Sequence, residues 1–270
     1  MYITTYERSP ILSGVPTTVP CPPPTCTPVG TFTPSLYGFK FSNYFSLTIP
    51  LPPPFPSIPA SYGLCGGMAT AALDYFLSCI PIPSTTTTPA SGALFNYLLS
   101  RQLDSLGSPT FGMVSKFLSW TNRPNTTRPL GGVSPIGPVL GPLLGPIPSL
   151  LSISGLQELT APEFRATVAS LAAGRPVVIG LIYVGPGAVS IWNNHQVLAY
   201  GTTTVSPTVT NIKIYDPNYP GDDGVVIRCE QLTGGRRVRC TEVIPSSGGT
   251  KNVRGFFRMP YARRTPPCLP

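Results

Sequence analysis

One cysteine stands where it could act as a nucleophile. The segment YGLCGGMATAALDYF, residues 62–76, places Cys65 between glycines and directly before a run of helix-forming residues. A thiolate at the start of a helix is stabilised by free N–H groups and by the helix dipole. Gly63, Gly66 and Gly67 carry no side-chain bulk, so a substrate could approach the backbone beside the sulfur. The alternative interpretation is a buried structural cysteine.

A nucleophilic thiol needs a base, and His195 is the only histidine in the chain. It follows Asn194 in SIWNNHQVLAYG, at the beginning of a predicted strand. Asp216 lies in IYDPNYPGDD, at the end of the next predicted strand. Adjacent antiparallel strands would place these two side chains together, so that the carboxylate orients the imidazole. Otherwise His195 is a packed core residue and Asp-Pro-Asn is a turn.

A polar residue interrupts an apolar row near the N-terminus. In GFKFSNYFSL, residues 38–47, alternation predicts a strand in which Asn43 shares a face with Phe39, Phe41 and Phe45. The Asn43 amide either makes a buried structural hydrogen bond or donates into an active site. One histidine and no C-x-x-C pair leave little for a zinc site, so neither a metal nor a cofactor is predicted.

The elements that would position these residues are helices first and strands afterwards, which predicts an α+β protein of two packed layers. Thr160 and Glu163 form a capping box at the start of the last helix, with Pro162 in its first turn. The predicted helices cover 65–78, 91–106, 111–120 and 160–174, and the predicted strands cover 176–184, 194–201, 211–217 and segments around 225–230, 236–243 and 253–258.

Proline marks the predicted organisation of the chain. Residues 1–60 hold 14 of the 36 prolines and are interpreted as a proline-rich arm with one strand. Residues 61–270 form the predicted main domain. Inside it, residues 129–157 carry six prolines and six glycines, which is typical of a loop and not of a membrane-spanning helix. We therefore expect a soluble protein, and the N-terminus shows no recognisable signal peptide.

The net charge of +8 is concentrated near the C-terminus. Nine of the 18 basic residues lie between Arg228 and Arg264, where an anionic partner could bind. No aromatic-rich nucleic-acid motif accompanies them, so nucleic acid is not an expected partner.

The cysteine count is odd. Seven cysteines leave at least one thiol free or paired outside the chain. Cys21 and Cys26 could form a bridge within a proline-rich loop. Cys229 and Cys240 could do so across a hairpin that turns at a Gly-Gly pair.

The motifs GLCGGM, GRPVVIGLIY, NHQVLAYG and IYDPNYPG, in this order, resemble papain-like cysteine peptidases in their bacterial C39-like version. The resemblance covers residues 61–79 and 174–220. It implies a nucleophile helix packed on an antiparallel sheet, with Cys65 as nucleophile, His195 as base and Asp216 as orienter.

Two features depart from that family. Pro59 stands where papain-like enzymes usually carry a glutamine that binds the oxyanion, and Asn43 could substitute for it beside the Cys65 N–H. Met68 follows the glycines where the family often has an aromatic residue. GLCGG also fits G-x-C-x-G, the nucleophile elbow of α/β-hydrolases and class I glutamine amidotransferases. The parallel β/α array that surrounds this elbow in α/β-hydrolases is not predicted here.

The expected function is that of a cysteine-dependent amide hydrolase acting on a peptide or protein through a thioester. The same three residues could instead support deamidation or transglutamination. The alternative from another class is a non-catalytic binding protein on the same fold, interacting through the proline-rich arm or the arginine-rich C-terminal region.

Overall fold

The computed structural model of the protein describes residues 30–46, 63–129, 152–187 and 191–269, together with positions 48, 53, 57 and 59. Its helices are α1 (Pro34–Tyr37), α2 (Cys65–Leu77), α3 (Gly92–Ser105), α4 (Gly112–Thr121) and α5 (Leu156–Ala172). Its strands are β1 (Arg128–Pro129), β2 (Ser152–Ile153), β3 (Val177–Ile182), β4 (His195–Ser206), β5 (Val209–Tyr215), β6 (Val226–Leu232), β7 (Arg237–Ile244), β8 (Gly249–Val253) and β9 (Gly255–Arg258). The predicted α+β class is confirmed.

Strands β3 to β9 form one antiparallel sheet in the order β8-β7-β6-β5-β4-β3-β9. Only Arg254 separates β8 from β9, although these strands occupy opposite edges of that order. The sheet therefore curls until its two edges lie close together. A separate two-residue pairing joins β1 to β2.

The sheet is covered on both faces. Val178, Ile182 and Leu198 pack with the residues of α2, α3 and α4. The alternate residues Ile179 and Leu181 pack instead with α5. Because β3 is buried on both faces, it reads as a continuous apolar run. The structure has one layer more than the two that the sequence predicts.

The strand predicted over residues 38–47 is wrong for the described part, 38–46, which contains several bends and no strand. Phe39, Phe41 and Phe45 are buried in the core with α2, as their alternation predicts. The Asn43 N–H donates to the carbonyl of Pro217, 3.1 Å away. Alternation reports which side chains are buried, and none of the described strands pairs with this backbone.

Helix α5 begins at Leu156, four residues before the predicted start, with Gly155 as its N-cap. Thr160 lies inside the helix, and its hydroxyl accepts a hydrogen bond from the N–H of Phe256 on β9. Glu163 accepts hydrogen bonds from Lys116 and from the N–H of Arg258. The side chains that suggested a capping box thus bind neighbouring elements. The single strand expected around 253–258 is the junction of β8 and β9.

The described cysteines fall into two groups. Cys79 and Cys268 are disulfide-bonded, whereas Cys65, Cys229 and Cys240 are free. The predicted β6–β7 hairpin is present, with Cys229 opposite Cys240. Their sulfur atoms lie 3.7 Å apart, so no disulfide joins them. The possible Cys21–Cys26 bridge lies outside the described residues.

A helix that crosses a lipid bilayer needs about 20 consecutive, mostly apolar residues. None of the helices in the described ranges is both long enough and apolar enough to span a membrane.

Candidate active site

Cys65 is the first residue of α2, and its side chain is buried. Neighbouring side chains bind other N–H groups of this helix start. The Leu64 N–H donates to Asn43 Oδ1 at 2.6 Å, and the Gly67 N–H donates to Gln102 Oε1 at 2.9 Å. Within the described part of the chain the N–H of Cys65 has no acceptor. This N–H therefore lies beside the sulfur as a donor that no described group uses.

The glycines around Cys65 are explained by close packing. A Cβ on Gly66 would overlap the Ser105 hydroxyl and the amide of Gln196, and a Cβ on Gly67 would overlap the carbonyl of Leu98. Helix α3 and strand β4 therefore approach α2 closely at these two glycines. The close approach brings the helix that carries Cys65 against the strand that begins at His195.

His195 begins β4 and lies opposite Leu181 of β3. Its Nε2 is 2.7 Å from Asp216 Oδ1, and the imidazole also interacts with the Cys65 thiol. Because Nε2 faces Asp216, Nδ1 is the ring nitrogen left for the sulfur. Burial lowers the pKa of His195, but Asp216 and Cys65 outweigh it and hold that pKa well above its usual value.

Asp216 directly follows β5, which pairs antiparallel with β4. Its Oδ1 also accepts the backbone N–H of Asn218 at 2.8 Å. Burial raises the pKa of Asp216, but His195, Glu242 and Asn218 together bring it below its usual value. The carboxylate is therefore ionised and faces the imidazole.

Two asparagines connect this group to the start of α2. Asn218 Nδ2 lies 3.2 Å from His195 Nε2. Asn43 Nδ2 donates to Asn218 Oδ1 at 3.3 Å, while Asn43 Oδ1 accepts from Leu64. The role of Asn43 as an oxyanion donor stays a prediction, and in this arrangement both ends of its amide are engaged.

Asn194 fixes the backbone just before His195. Its Oδ1 accepts the N–H groups of Tyr183 and Val184, and its Nδ2 donates to Thr121 Oγ1 at 2.9 Å. These bonds hold the end of β3 and the end of α4 against the start of β4. The chain entering β4 is thus held on two sides.

His195 stands between two depressions of opposite character. The first, which includes Cys65, is mainly apolar and is lined by Gly63, Gln102, Leu106, Val114, Phe117, Ile191, Trp192, Asn194 and Gln196. The second is polar and is lined by Asn43, Tyr183, Trp192, Asn193, Asn194, Asn218, Lys251 and Asn252. His195, Trp192 and Asn194 line both depressions, which are together called the cleft.

Sequence reasoning missed several residues that contact the site. Gln102 binds the first turn of α2, and the ring of Tyr183 stacks on His195 with their centroids 6.5 Å apart. Glu242 accepts a hydrogen bond from the Tyr183 hydroxyl at 2.8 Å. The sequence does carry a signal for Glu242. In the alternating pattern of RVRCTEVI it shares a face with Val238 and Cys240, which are buried.

Several arginines of the C-terminal region bind the protein itself. Arg254 donates to the carbonyls of Thr121 and Val184, and Arg264 lies 2.8 Å from Asp104. An anionic partner at this region stays a prediction.

The arrangement offers a thiol, an imidazole, a buried carboxylate and a backbone N–H with no described acceptor within one cleft. The described residues contain no cluster of three or more histidine, cysteine or acidic side chains able to hold a metal ion. Neither a protein-family model, nor a curated protein, nor a solved structure matches this chain.

Proposed function

We propose that this protein is a cysteine-dependent amide hydrolase, and specifically a papain-like cysteine peptidase of the C39-like type. The observation that carries the proposal is the sequence of contacts from Cys65 to His195 and from His195 Nε2 to Asp216 Oδ1 at 2.7 Å. A thiol becomes a strong nucleophile when an adjacent base holds its proton and a third group orients that base.

In the first step His195 takes the thiol proton, and the Cys65 thiolate attacks the carbonyl carbon of the substrate amide. The carbonyl oxygen becomes an oxyanion. In this mechanism the N–H of Cys65, which has no acceptor among the described residues, stabilises that charge as an oxyanion-hole donor does. Asp216 stabilises the imidazolium that forms and keeps its own charge.

In the second step the imidazolium gives its proton to the departing amine, the carbon–nitrogen bond breaks, and a thioester remains on Cys65. His195 then deprotonates a water molecule, which attacks the thioester carbon. The carbon–sulfur bond breaks, the product leaves as a carboxylic acid, and the Cys65 thiolate and the His195 imidazolium are restored as a pair. Replacing that water with an amine would give transamidation.

The two halves of the cleft suggest how a peptide would lie. The apolar depression beside Cys65, with Leu106, Val114 and Phe117 in its lining, suits an apolar side chain of the substrate. The polar half, with Asn193, Asn218 and Lys251, suits backbone carbonyls and polar side chains on the other side of the cleaved bond.

A second candidate function, binding without catalysis, is favoured by one observation. Cys65 is only 9% exposed and His195 only 6% exposed. A site this enclosed would suit a protein that binds a peptide in the cleft and leaves it intact.

A library of internally quenched peptides with apolar residues at varied positions tests the proposal. We expect cleavage by the wild type, no cleavage by Cys65→Ala, and unchanged cleavage by Cys240→Ala, which removes another buried free thiol. Mass spectrometry of the products identifies the bond. Peptides that bind but are not cleaved would support the binding protein, and cleavage by Cys65→Ala would refute the mechanism.

A further inference from the structure

A second buried acid lies behind the site. Glu242 occupies the middle of β7 and is fully buried in a row with Val238, Cys240 and Ile244. Its Oε2 accepts the Tyr183 hydroxyl at 2.8 Å and lies 3.7 Å from Lys251 Nζ. Its Oε1 has no donor among the described residues.

Asp216 also has one carboxylate oxygen with partners and one without a described donor. Its Oδ1 receives the His195 ring and the Asn218 N–H, but its buried Oδ2 has no donor in the described part of the chain. The carboxyl groups of Asp216 and Glu242 nevertheless interact through their side chains. Two ionised carboxylates in contact would repel each other, whereas one proton between them would satisfy both oxygens.

We propose that Glu242 is a positioning residue, which carries a proton on Oε1 and donates it to Asp216 Oδ2. The bond holds the Asp216 carboxylate in the orientation in which Oδ1 meets His195. The shared proton does not depend on the proposed function, but its effect on Cys65 rests on that function.

The surroundings assign the proton to Glu242. Asp216 faces the imidazole of His195, which favours its ionised form. Glu242 faces the neutral hydroxyl of Tyr183 and, from β8, Lys251, which is 43% exposed and also lies over the ring of Tyr219. In support, burial and the Asp216 charge raise the pKa of Glu242 to about 7.

Infrared spectroscopy tests the shared proton directly. The carbonyl stretch of a protonated carboxyl group is measured from pH 5.5 to pH 9 in wild type, Glu242→Gln and Glu230→Gln. Glu230 is a partly exposed control on β6. At pH 6 an ordinary glutamate, with a pKa of about 4.3, is ionised. We expect a protonated carboxyl that titrates near pH 7 in wild type and in the control, and its absence from Glu242→Gln. A wild type without this band, or a band unchanged in Glu242→Gln, overturns the proposal.

Alkylation of Cys65 by iodoacetamide tests the positioning role. Glutamine keeps an N–H donor for Asp216 Oδ2 and does not titrate, whereas leucine removes the donor. We expect Glu242→Leu to slow alkylation at pH 6 by about tenfold or more, because a hydrogen bond to a charged group is lost. In wild type the alkylation rate should change near pH 7, where Glu242 loses its proton. Glu242→Gln should restore most of the rate and show no such change.

The outcomes separate the two proposals. Equal rates in wild type, Glu242→Leu and Glu242→Gln would refute the positioning role. If Cys65 reacts no faster in wild type than in His195→Ala, but the infrared band is present and lost in Glu242→Gln, the proposed function fails and the shared proton stands.

Discussion

Two buried carboxylates, Asp74 and Asp216, have opposite surroundings. Asp74 lies on the same helix as Cys65 and is fully enclosed by permanent donors. Arg101 forms an ion pair with it at 2.7 Å and donates to it from Nη2 at 3.4 Å, the hydroxyls of Tyr97 and Tyr261 donate at 2.7 and 2.9 Å, and the Arg264 N–H donates at 3.0 Å. This network ties α3 and the C-terminal segment to α2, and its cation does not titrate.

Asp216 faces groups that do titrate. One of its oxygens meets the imidazole of His195, and the other has no donor among the described residues apart from the proton that we assign to Glu242. A buried acid with a complete set of fixed donors holds the fold together. A buried acid whose partners gain and lose protons can instead transmit protonation to a nucleophile. The difference predicts that mutations at the two sites affect different properties.

The largest expected effect is on stability, at Asp74. Asp74→Asn removes the charge that compensates the buried Arg101, and losing one member of a buried ion pair costs about 3–5 kcal/mol. Chemical denaturation measures this loss. The rate of Cys65 alkylation in the folded fraction should be unchanged. Asp104→Asn, which removes a partly exposed partner of Arg101, is the matched control and should cost about 1 kcal/mol or less. A loss below 1 kcal/mol in Asp74→Asn would contradict the structural role.

The next largest expected effect is a pH dependence of the free energy of unfolding, caused by Glu242. Its pKa is raised to about 7 in the fold, so between pH 4.5 and 7 the folded state binds more protons than the unfolded state. The free energy of unfolding of wild type, relative to Glu242→Gln, should therefore fall as pH rises through this window, by on the order of 3 kcal/mol. Denaturation curves at a series of pH values measure the difference. A difference that does not vary with pH would mean that Glu242 is ionised throughout.

Asp216→Asn should affect reactivity. A neutral amide stabilises the imidazolium less than a carboxylate does, so the pKa of His195 should fall and less thiolate should be present at pH 6. We expect alkylation of Cys65 at this pH to slow by about 10–100-fold, which corresponds to losing a charge-assisted hydrogen bond. The comparison variant is Asp74→Asn, which also replaces a buried aspartate. Its folded fraction should keep the wild-type alkylation rate. Equal slowing in both variants would erase the distinction between the two acids.

The smallest expected effect concerns an exposed acid. Glu230 and Arg239 are paired at 3.3 Å with 43% and 58% of their side chains exposed. Glu230→Gln should change the free energy of unfolding by less than about 0.5 kcal/mol and leave alkylation unaltered. A larger change would show that burial does not determine which acids contribute to stability or to the reactivity of Cys65.

The sequence predicted those features that depend on local patterns. Cysteine before an alanine-rich run predicted the start of α2, and alternation predicted most strands. Alternation could not distinguish residues 38–46 from a strand, because it reports burial and not backbone pairing. The start of α5 was misplaced because Thr160 and Glu163 bind β9 and Lys116 instead of capping the helix.

Contacts that depend on strand order could not be predicted in the same way. Glu242 lies in an apolar alternating row, which marks it as a buried acid. Its contact with Asp216 requires the register of β5, β6 and β7, and no local pattern specifies that register. The same applies to Tyr183, which reaches both His195 and Glu242 only because the sheet is curled.

The central claim is that Cys65 and His195 form a thiolate–imidazolium pair. Its most direct test is the rate of Cys65 alkylation by iodoacetamide from pH 4 to pH 9, followed by peptide mass spectrometry, in wild type and His195→Ala. We predict rapid wild-type labelling that persists well below the ordinary thiol pKa of about 8.5, and its loss at low pH in the variant. Slow labelling with the same pH profile in both proteins would contradict the claim and leave Cys65 as a packed helix residue.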